Sequence, residues 1–149
     1  MQVPKIEYIA NTEGCVYKLF WGEIYVIIKC KTFARSKTII EQSLDRFLNR
    51  GGKDILYHRF FTYIKMHPFY SFRVKILLNS DNPYQLLIKE QEWLDKAKDD
   101  HNCFNISFDA YVPHGIQGKR KAWINRGHYL NFMIWKKRRF KNVELRQSE

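Results

Sequence analysis

The chain has 149 residues, of which 45% are hydrophobic and 16% aromatic, so it can form one domain with a hydrophobic core and is not a disordered chain. Its net charge of +11 indicates a polyanionic partner, with nucleic acid as the first choice. It contains no run of about 18 apolar residues and no signal-peptide pattern, which argues against a membrane-spanning or secreted protein.

The cysteines and the amino-acid usage indicate a compartment. Cys15, Cys30 and Cys103 are far apart and odd in number, so we expect reduced thiols rather than a disulfide framework, and no Cys-x-x-Cys pair suggests zinc. High usage of Ile, Lys, Asn, Tyr and Phe is typical of AT-rich genomes such as those of organelles or phages. We therefore expect an intracellular protein that is not secreted, with the mitochondrial matrix or another organellar matrix as a candidate location.

Residues 1–13 are predicted to form a leader ahead of a β-hairpin. The segment 14–21, GCVYKLFW, partly alternates between apolar and polar residues, and the segment 23–30, EIYVIIKC, is rich in β-branched and aromatic residues. Gly22 separates the two segments and can supply the turn. The pattern therefore predicts two antiparallel strands.

Two helices and a third strand follow the hairpin. Thr38 can cap a helix over residues 38–50, where two glycines stop it. A second helix is predicted over residues 54–66, because Pro68 disfavours a helical conformation just before it. The segment 70–78 alternates and then stays apolar, which predicts a central strand.

The last predicted helix carries a carboxylate on its apolar side. Asn82 can cap it, and Pro83 takes the first helical position, where its missing N–H costs nothing. The apolar stripe consists of Leu86, Trp93 and Ala97. Glu90 lies inside this stripe, where a carboxylate has to meet a cation, a metal or several hydrogen-bond donors. The element order predicts an α+β domain over residues 14–106, in which a small three-stranded antiparallel sheet is flanked by helices.

Residues 107–149 are predicted to form a basic C-terminal extension. The last 33 residues hold ten Lys or Arg against two Glu, a net charge of +8, whereas the first 116 hold sixteen against thirteen acidic residues, a net charge of +3. Aromatic rings among these cations are typical of surfaces that contact phosphates and stack on bases, although the rings could equally pin the extension onto the domain. A membrane surface is the competing polyanion, but the extension lacks a long amphipathic stripe. The predicted nucleic-acid-binding residues are Lys119, Arg120, Lys121, Trp123, Arg126, Trp135, Lys136, Lys137, Arg138 and Arg139.

The order of the predicted elements, together with five polar residues on or beside them, resembles the GIY-YIG nuclease domain. In GCVY and IYV, Tyr17 and Tyr25 take the places of the family's two motif tyrosines. Arg46 in SLDRFLNR is similar to the family's helical arginine, and Glu90 in LLIKEQEWLDKA is similar to its metal-binding glutamate. Asn105 in CFNI is similar to the asparagine that closes the family's domain. The resemblance covers the whole predicted domain.

This resemblance implies a site for phosphodiester hydrolysis. Glu90 would hold one Mg²⁺ ion, and Tyr17, helped by Tyr25, would position or deprotonate the attacking water. Arg46 would neutralise the charge that develops on the phosphate, and Asn105 would brace the site through hydrogen bonds. Each of these residue types also has an ordinary structural role, so only their joint presence indicates this chemistry.

Two of the departures from the family's pattern weaken the case for catalysis. Ile27 stands where the family has a glycine, and its branched side chain could crowd an approaching substrate. The connection between the second strand and Arg46 is longer than usual, so Arg35 is a rival for the arginine role. Both departures favour a derivative that no longer cuts nucleic acid.

Two functions are compatible with these patterns. The first is a catalytically weak or inactive derivative that binds nucleic acid as a structural RNA-binding subunit of a large ribonucleoprotein, such as an organellar ribosome, beside other proteins of that assembly. The second is an active, Mg²⁺-dependent homing-type endonuclease that cleaves DNA. The altered motif favours the first function, and the five retained polar residues favour the second. We expect the binding function, with no membrane partner.

Overall fold

The computed structural model of the chain describes residues 2–11, 13–54, 56–106, 108 and 110. Its elements, in chain order, are β1 (Gly14–Trp21), β2 (Ile24–Cys30), α1 (Phe33–Asn49), α2 (His58–Met66), β3 (Phe72–Ser80) and α3 (Pro83–Ala97). The expected α+β class, with a small three-stranded antiparallel sheet and helices, is confirmed for these residues. None of the described helices is long and apolar enough to cross a bilayer.

The sheet has the strand order β2-β1-β3, so β1 is central and antiparallel to both neighbours. Gly22 forms the hairpin turn with a φ of 63°, a conformation that glycine adopts without a Cβ penalty. The strand predicted over residues 70–78 is present as β3, but its predicted central position is wrong, because β3 lies at an edge of the sheet. Arg73 and Lys75 are exposed between less exposed apolar residues, a pattern that suits an edge strand with one solvated face.

Helix α1 begins five residues earlier than predicted. Thr32, rather than Thr38, stands at the N-cap position, and its side chain makes no capping hydrogen bond. Phe33 anchors the first turn instead, because it is fully buried and packs edge-on against Tyr17 with ring centroids 5.2 Å apart. Thr38 lies inside the helix, where its hydroxyl donates to the carbonyl of Ala34 at 3.0 Å. Burial of an aromatic ring therefore overrode the local capping signal.

The other two helices agree better with the sequence. Helix α2 begins at His58, later than predicted, and the N–H of Tyr57 just before it donates to Asp54 Oδ1 at 2.6 Å. Helix α3 begins as predicted, since Asn82 Oδ1 accepts the N–H of Tyr84 at 2.9 Å. The capping signal therefore held where no buried ring competed with it.

The buried polar residue of α3 is Gln91, one position after the predicted Glu90. Gln91 Nε2 donates to the carbonyl of Phe108 at 3.0 Å, and its Oε1 accepts the N–H of Ala110 at 2.9 Å. Both hydrogen-bonding ends of the buried amide are therefore used to hold the backbone that follows the predicted domain. Glu90 is only half-buried, at the border of the stripe.

The helices cover the two faces of the sheet unequally. One face, which we call the closed face, is covered by α1 and α2. Its strand core consists of Cys15, Tyr17, Leu19, Trp21, Ile24, Val26 and Ile28. The other face, the open face, is covered by α3 only in part, so that Arg73 and Lys75 remain exposed. Because side chains alternate along a strand, β1 sends Tyr17 to the closed face and Lys18 to the open face.

The predicted leader is partly built into the core of the closed face. Ile6 is buried, and its N–H donates to Oε2 of the buried Glu41 at 2.8 Å. Lys37 pairs with the other oxygen of Glu41 at 2.9 Å. Asn11 donates to Asn79 of β3 at 2.8 Å. The segment is therefore part of the domain, because these contacts join it to α1 and β3.

Candidate functional site

The hydroxyl of Tyr17 lies inside the closed face. The residue has 0% exposure, and its Oη is 2.6 Å from Oγ of Ser36 in the first part of α1. Burial raises the pKa of Tyr17 above its usual range, although the hydrogen bond with Ser36 acts in the opposite direction. A phenol that is out of contact with solvent and harder to ionise is poorly suited to activate a water molecule.

Tyr25 belongs to the open face, on the other side of the sheet. Its hydroxyl donates to Oδ2 of Asp100 at 2.6 Å. Burial raises the pKa of Tyr25, and the hydrogen bond with Asp100 adds to the shift. The structure therefore does not bring together the two phenols that the family resemblance would place in one site, because Tyr17 and Tyr25 belong to opposite side-chain layers.

The two arginine candidates lie at opposite ends of α1. Arg46 is exposed in the last turns of the helix and donates to Oγ of Ser43 at 3.2 Å. Arg35 is exposed in the first turn, directly before Ser36, which is the partner of the Tyr17 hydroxyl. Arg46 follows Arg35 by eleven positions, which corresponds to about 16 Å along the helix. Arg35, and not Arg46, is therefore the arginine next in sequence to the Tyr17 contact.

Glu90 faces a lysine. Its Oε1 is 3.9 Å from Nζ of Lys29 on β2. Burial raises the pKa of Tyr57 above its usual range, and the charges of Asp54 and then Glu90 add to this shift. A carboxylate on this helix face was expected to meet a cation, a metal or several donors, and Lys29 supplies the cation.

The carboxylate of Glu90 does not by itself form a magnesium site. Mg²⁺ in proteins is held through one or two carboxylates together with waters and substrate phosphates. Glu90 already faces the cation of Lys29, and within the described part of the chain no group of three or more His, Cys, Asp or Glu residues could hold a metal ion. A magnesium ion at Glu90 would therefore have to compete with the cation of Lys29.

Asn105 braces the outer edge of β2. Its Nδ2 donates to the carbonyl of Ile27 at 3.0 Å, and its Oδ1 accepts the N–H of Ile27 at 2.8 Å. The backbone N–H of Tyr25 donates to the carbonyl of Asn102, and the carbonyl of Tyr25 accepts the N–H of Phe104. Ile27, at the position where the GIY-YIG pattern has a glycine, is buried in the core of the open face. Asn105 and Ile27 therefore have structural roles that explain them without a bound substrate.

Four cations gather on the open face, and we call them the open-face cation cluster. They are Lys18 of β1, Arg73 and Lys75 of β3, and Lys96 of α3. Nζ of Lys18 lies 4.5 Å from the ring centroid of Tyr25 and 4.4 Å from that of Trp93. Nζ of Lys96 lies 4.6 Å from the same Trp93 ring. The indole of α3 therefore gathers a strand lysine and a helix lysine at one place.

Carboxylates of the described residues do not neutralise this cluster by close pairing. The guanidinium of Arg73 lies over Phe20, with Cζ 4.3 Å from the ring centroid. Lys75 is the direct cross-strand partner of Lys18, an arrangement in which like charges repel. Burial and then Lys75 lower the pKa of Lys18, while the carboxylate of Asp100 opposes them. None of the salt bridges among the described residues includes a cation of the cluster.

The nucleic-acid contacts were predicted in the extension, and no sequence pattern predicted the open-face cation cluster. The ten predicted residues of the extension lie outside the described residues, as do all of residues 111–149. The sequence signal of the cluster is a spacing of two residues, which puts Lys18 and Phe20 on one face of β1 and Arg73 and Lys75 on one face of β3. That signal becomes meaningful only when β1 and β3 are known to be neighbours.

No family model, curated protein or solved structure matches this chain significantly. The resemblance to the GIY-YIG domain therefore rests on the residues of this chain alone. Function has to be argued from the charge of the chain and from the geometry of the open face.

Proposed function

We propose that this protein binds nucleic acid without cutting it, as a structural RNA-binding subunit of a large ribonucleoprotein such as an organellar ribosome. The observation that carries the proposal is the open-face cation cluster, which forms no salt bridge with a carboxylate of the described residues. The last 33 residues add a net charge of +8. Both features offer cations to phosphates, which dominate the affinity of proteins for nucleic acids.

The way the cations are held favours a binding surface over an ordinary solvated face. An exposed lysine normally keeps a flexible stem and a hydrated head. Lys18, Arg73 and Lys96 instead lie over aromatic rings, at 4.3–4.6 Å from the ring centroids. Such contacts restrict the side chains before a ligand arrives, which lowers the entropic cost of binding.

The spread of the five family positions supports binding without cleavage. Hydrolysis needs a base, a cation and water at one phosphate. Tyr17 is enclosed in the closed face, whereas Tyr25 belongs to the open face and donates its hydroxyl to Asp100. Glu90 faces Lys29 at 3.9 Å. These groups serve the fold in the places where they lie.

Charge neutralisation with a matched control tests the proposal. The full chain should bind a labelled single-stranded RNA, and its affinity should fall steeply as salt is added. The double variant Arg73→Gln/Lys75→Gln should bind more weakly, with a log–log salt slope smaller by about 1.4, because each lost contact to a single strand removes about 0.7. The control Lys53→Gln/Lys65→Gln removes the same charge from exposed residues before and within α2 and should keep most of the slope.

Two results of this experiment would count against the proposal. Equal losses in the two double variants would show that net charge, and not the open face, drives the binding. No binding by the parent chain at low salt would refute a nucleic-acid-binding function altogether.

The competing function is a metal-dependent endonuclease. The full chain would be incubated with supercoiled plasmid in Mg²⁺ or Mn²⁺, and we expect the plasmid to stay intact. Nicking that needs the metal and disappears in Glu90→Ala would establish the endonuclease and end the proposal. Glu92→Ala is the matched control, since Glu92 is a more exposed carboxylate on the same helix.

A further inference from the structure

Two exposed aromatic rings lie at the hairpin end of the sheet. Phe69 is 75% exposed and Tyr70 is 45% exposed, with their ring centroids 5.4 Å apart. The ring of Tyr70 lies against the hairpin turn, so that a Cβ added at Gly22 would be 3.2 Å from it. Arg73 follows at the start of β3, which pairs with the end of β1. Two stacking surfaces and a cation of the cluster therefore share one end of the sheet.

The backbone that carries these rings is anchored to the core. The carbonyl of His67 accepts the indole N–H of the buried Trp21 at 2.8 Å. The imidazole of His67 stacks on Tyr63 with ring centroids 4.1 Å apart and lies 6.1 Å from the ring of Phe69. The exposed rings are thus presented by a segment that is fixed at its start, which favours recognition by a pre-formed surface.

We infer that this end of the sheet binds single-stranded nucleic acid in preference to a duplex, with bases on Phe69 and Tyr70 and phosphates at the open-face cation cluster. The inference rests on the proposed function and adds the class of ligand. Exposed rings can stack only on bases that are not already stacked within a duplex. The guanidinium of Arg73, which lies over Phe20, offers a third group on which a base can stack.

The test compares one RNA sequence as a single strand and as a duplex. Removing the two rings in Phe69→Ala/Tyr70→Ala should weaken single-strand binding by the full chain at least about fivefold, because base stacking on aromatic side chains contributes this much or more. Duplex binding should stay within about twofold, since the phosphate contacts are unchanged. Met66→Ala is the matched control, because it removes a 69% exposed apolar side chain from α2 and should leave both affinities unchanged.

The possible failures are distinguishable. The inference is overturned if the double variant binds single strands as tightly as the parent, or loses the same factor for both forms of RNA. In either case the proposed function survives. If the parent chain binds neither form, the proposed function fails instead. Circular dichroism of each variant, together with its urea unfolding curve, shows whether the fold is retained.

A separate observation concerns two thiols at the other end of the hairpin. Cys15 of β1 and Cys30 of β2 are direct cross-strand partners, and their Sγ atoms are 3.3 Å apart. Cys15 is buried, whereas Cys30 is half-buried. A small movement of the two side chains would bring the sulfurs to the disulfide bond length of about 2.05 Å.

We propose that Cys15 and Cys30 form a dithiol that is oxidised by exchange with small-molecule disulfides of the glutathione class. The Cys30 thiolate attacks one sulfur of the small disulfide, which forms a mixed disulfide and releases one thiolate. The sulfur of Cys15 then attacks Sγ of Cys30, closes the cross-strand bond and releases the second thiolate. The protein thiols lose two electrons and two protons, and the small disulfide is reduced to two thiols.

The chemistry of the pair supports this order of attack. The hydrogen bond between the two thiols lowers the pKa of Cys30, whereas the same contact and burial raise the pKa of Cys15. Cys30 is also the more exposed of the two thiols, so a small disulfide reaches Cys30 first. In a reducing compartment both residues remain thiols, as the sequence predicts.

Mass spectrometry of the native full chain after treatment with oxidised glutathione tests the proposal. We expect the loss of two hydrogens and one linked pair of peptides that contain Cys15 and Cys30. Cys15→Ser should stop at the glutathione adduct on Cys30, and the control Cys103→Ser should react like the parent. A treated chain that keeps three free thiols, or a bond that includes Cys103, would overturn the proposal.

Discussion

The two faces of the sheet are built from the same central strand but differ in what covers them. On the closed face β1 contributes Tyr17, Leu19 and Trp21, which are buried beneath α1 and α2. On the open face it contributes Lys18 and Phe20, which are only half-buried beside a helix that covers part of the surface. The difference teaches that alternation along one strand can place a closed core on one face and a cation on the other.

The largest expected effect comes from removing a buried ring of the closed face, which leaves a void. Phe61 is fully buried, with the ring centroids of Tyr57 and Phe47 at 5.6 and 5.8 Å. Phe61→Ala should lower the free energy of unfolding by about 3–5 kcal/mol, measured by urea denaturation. Phe69→Ala removes the same side chain from an exposed position and should change it by no more than about 0.5 kcal/mol. Similar losses from the two variants would contradict the division between the faces.

A smaller effect is expected where the N-terminal segment joins the closed face. Glu41→Ala leaves the N–H of Ile6 without its acceptor and Lys37 without its partner, which should lower the free energy of unfolding by about 1–3 kcal/mol. Glu92→Ala removes a more exposed carboxylate paired with Lys89 and should cost less than about 1 kcal/mol. Hydrogen exchange would follow the amide of Ile6. An amide that stays equally protected in Glu41→Ala would show that this contact does not hold the segment.

A substitution of Tyr17, on the closed face, distinguishes a structural role of its hydroxyl from a catalytic one. Tyr17→Phe removes the hydrogen bond to Ser36 and should lower the free energy of unfolding by about 1 kcal/mol. RNA affinity, measured by fluorescence anisotropy, should not change, because the hydroxyl is enclosed. A loss of RNA binding in this folded variant would place Tyr17 in a ligand site and break the comparison.

The smallest effect concerns pH on the open face. The hydroxyl of Tyr25, followed by the N–H of Asn102, lowers the pKa of Asp100 below its ordinary value of 3.8. The folded chain therefore binds fewer protons than the unfolded chain, so this contact stabilises the fold above pH 3.8 and is lost as the pH falls through the lower, folded value. In Tyr25→Phe the free energy of unfolding should therefore fall less between neutral pH and acid than in the parent chain, measured by urea unfolding at both pH values. An identical acid loss in the parent and the variant would contradict this role.

Elements with strong local signals could be predicted from the sequence. The alternation in residues 14–21 gave the bounds of β1, and the Asn82 cap gave the start of α3. The start of α1 could not be predicted, because burial of Phe33 against Tyr17 depends on tertiary packing. The edge position of β3 depends on strand order, which no local pattern contains.

The candidate site was harder to predict than the fold. Glu90 and Gln91 are adjacent on α3, and the helix period alone does not decide which of them faces the sheet. The structure buries Gln91. The open-face cation cluster joins β1, β3 and α3, which are distant in sequence, so it forms no contiguous motif. The family resemblance predicted a catalytic role for Tyr17, but its hydroxyl is enclosed in the closed face.

Ultraviolet cross-linking of the full chain to a single-stranded RNA in the presence of Mg²⁺ tests the central claim most directly. The complex would be digested with trypsin to map the attached peptides, and the unirradiated RNA would be examined on a denaturing gel. We expect uncut RNA and a cross-link in residues 66–73, the peptide that contains Phe69 and Tyr70. Cleaved RNA, or cross-links within the domain that are confined to α1 and α2, would contradict the account.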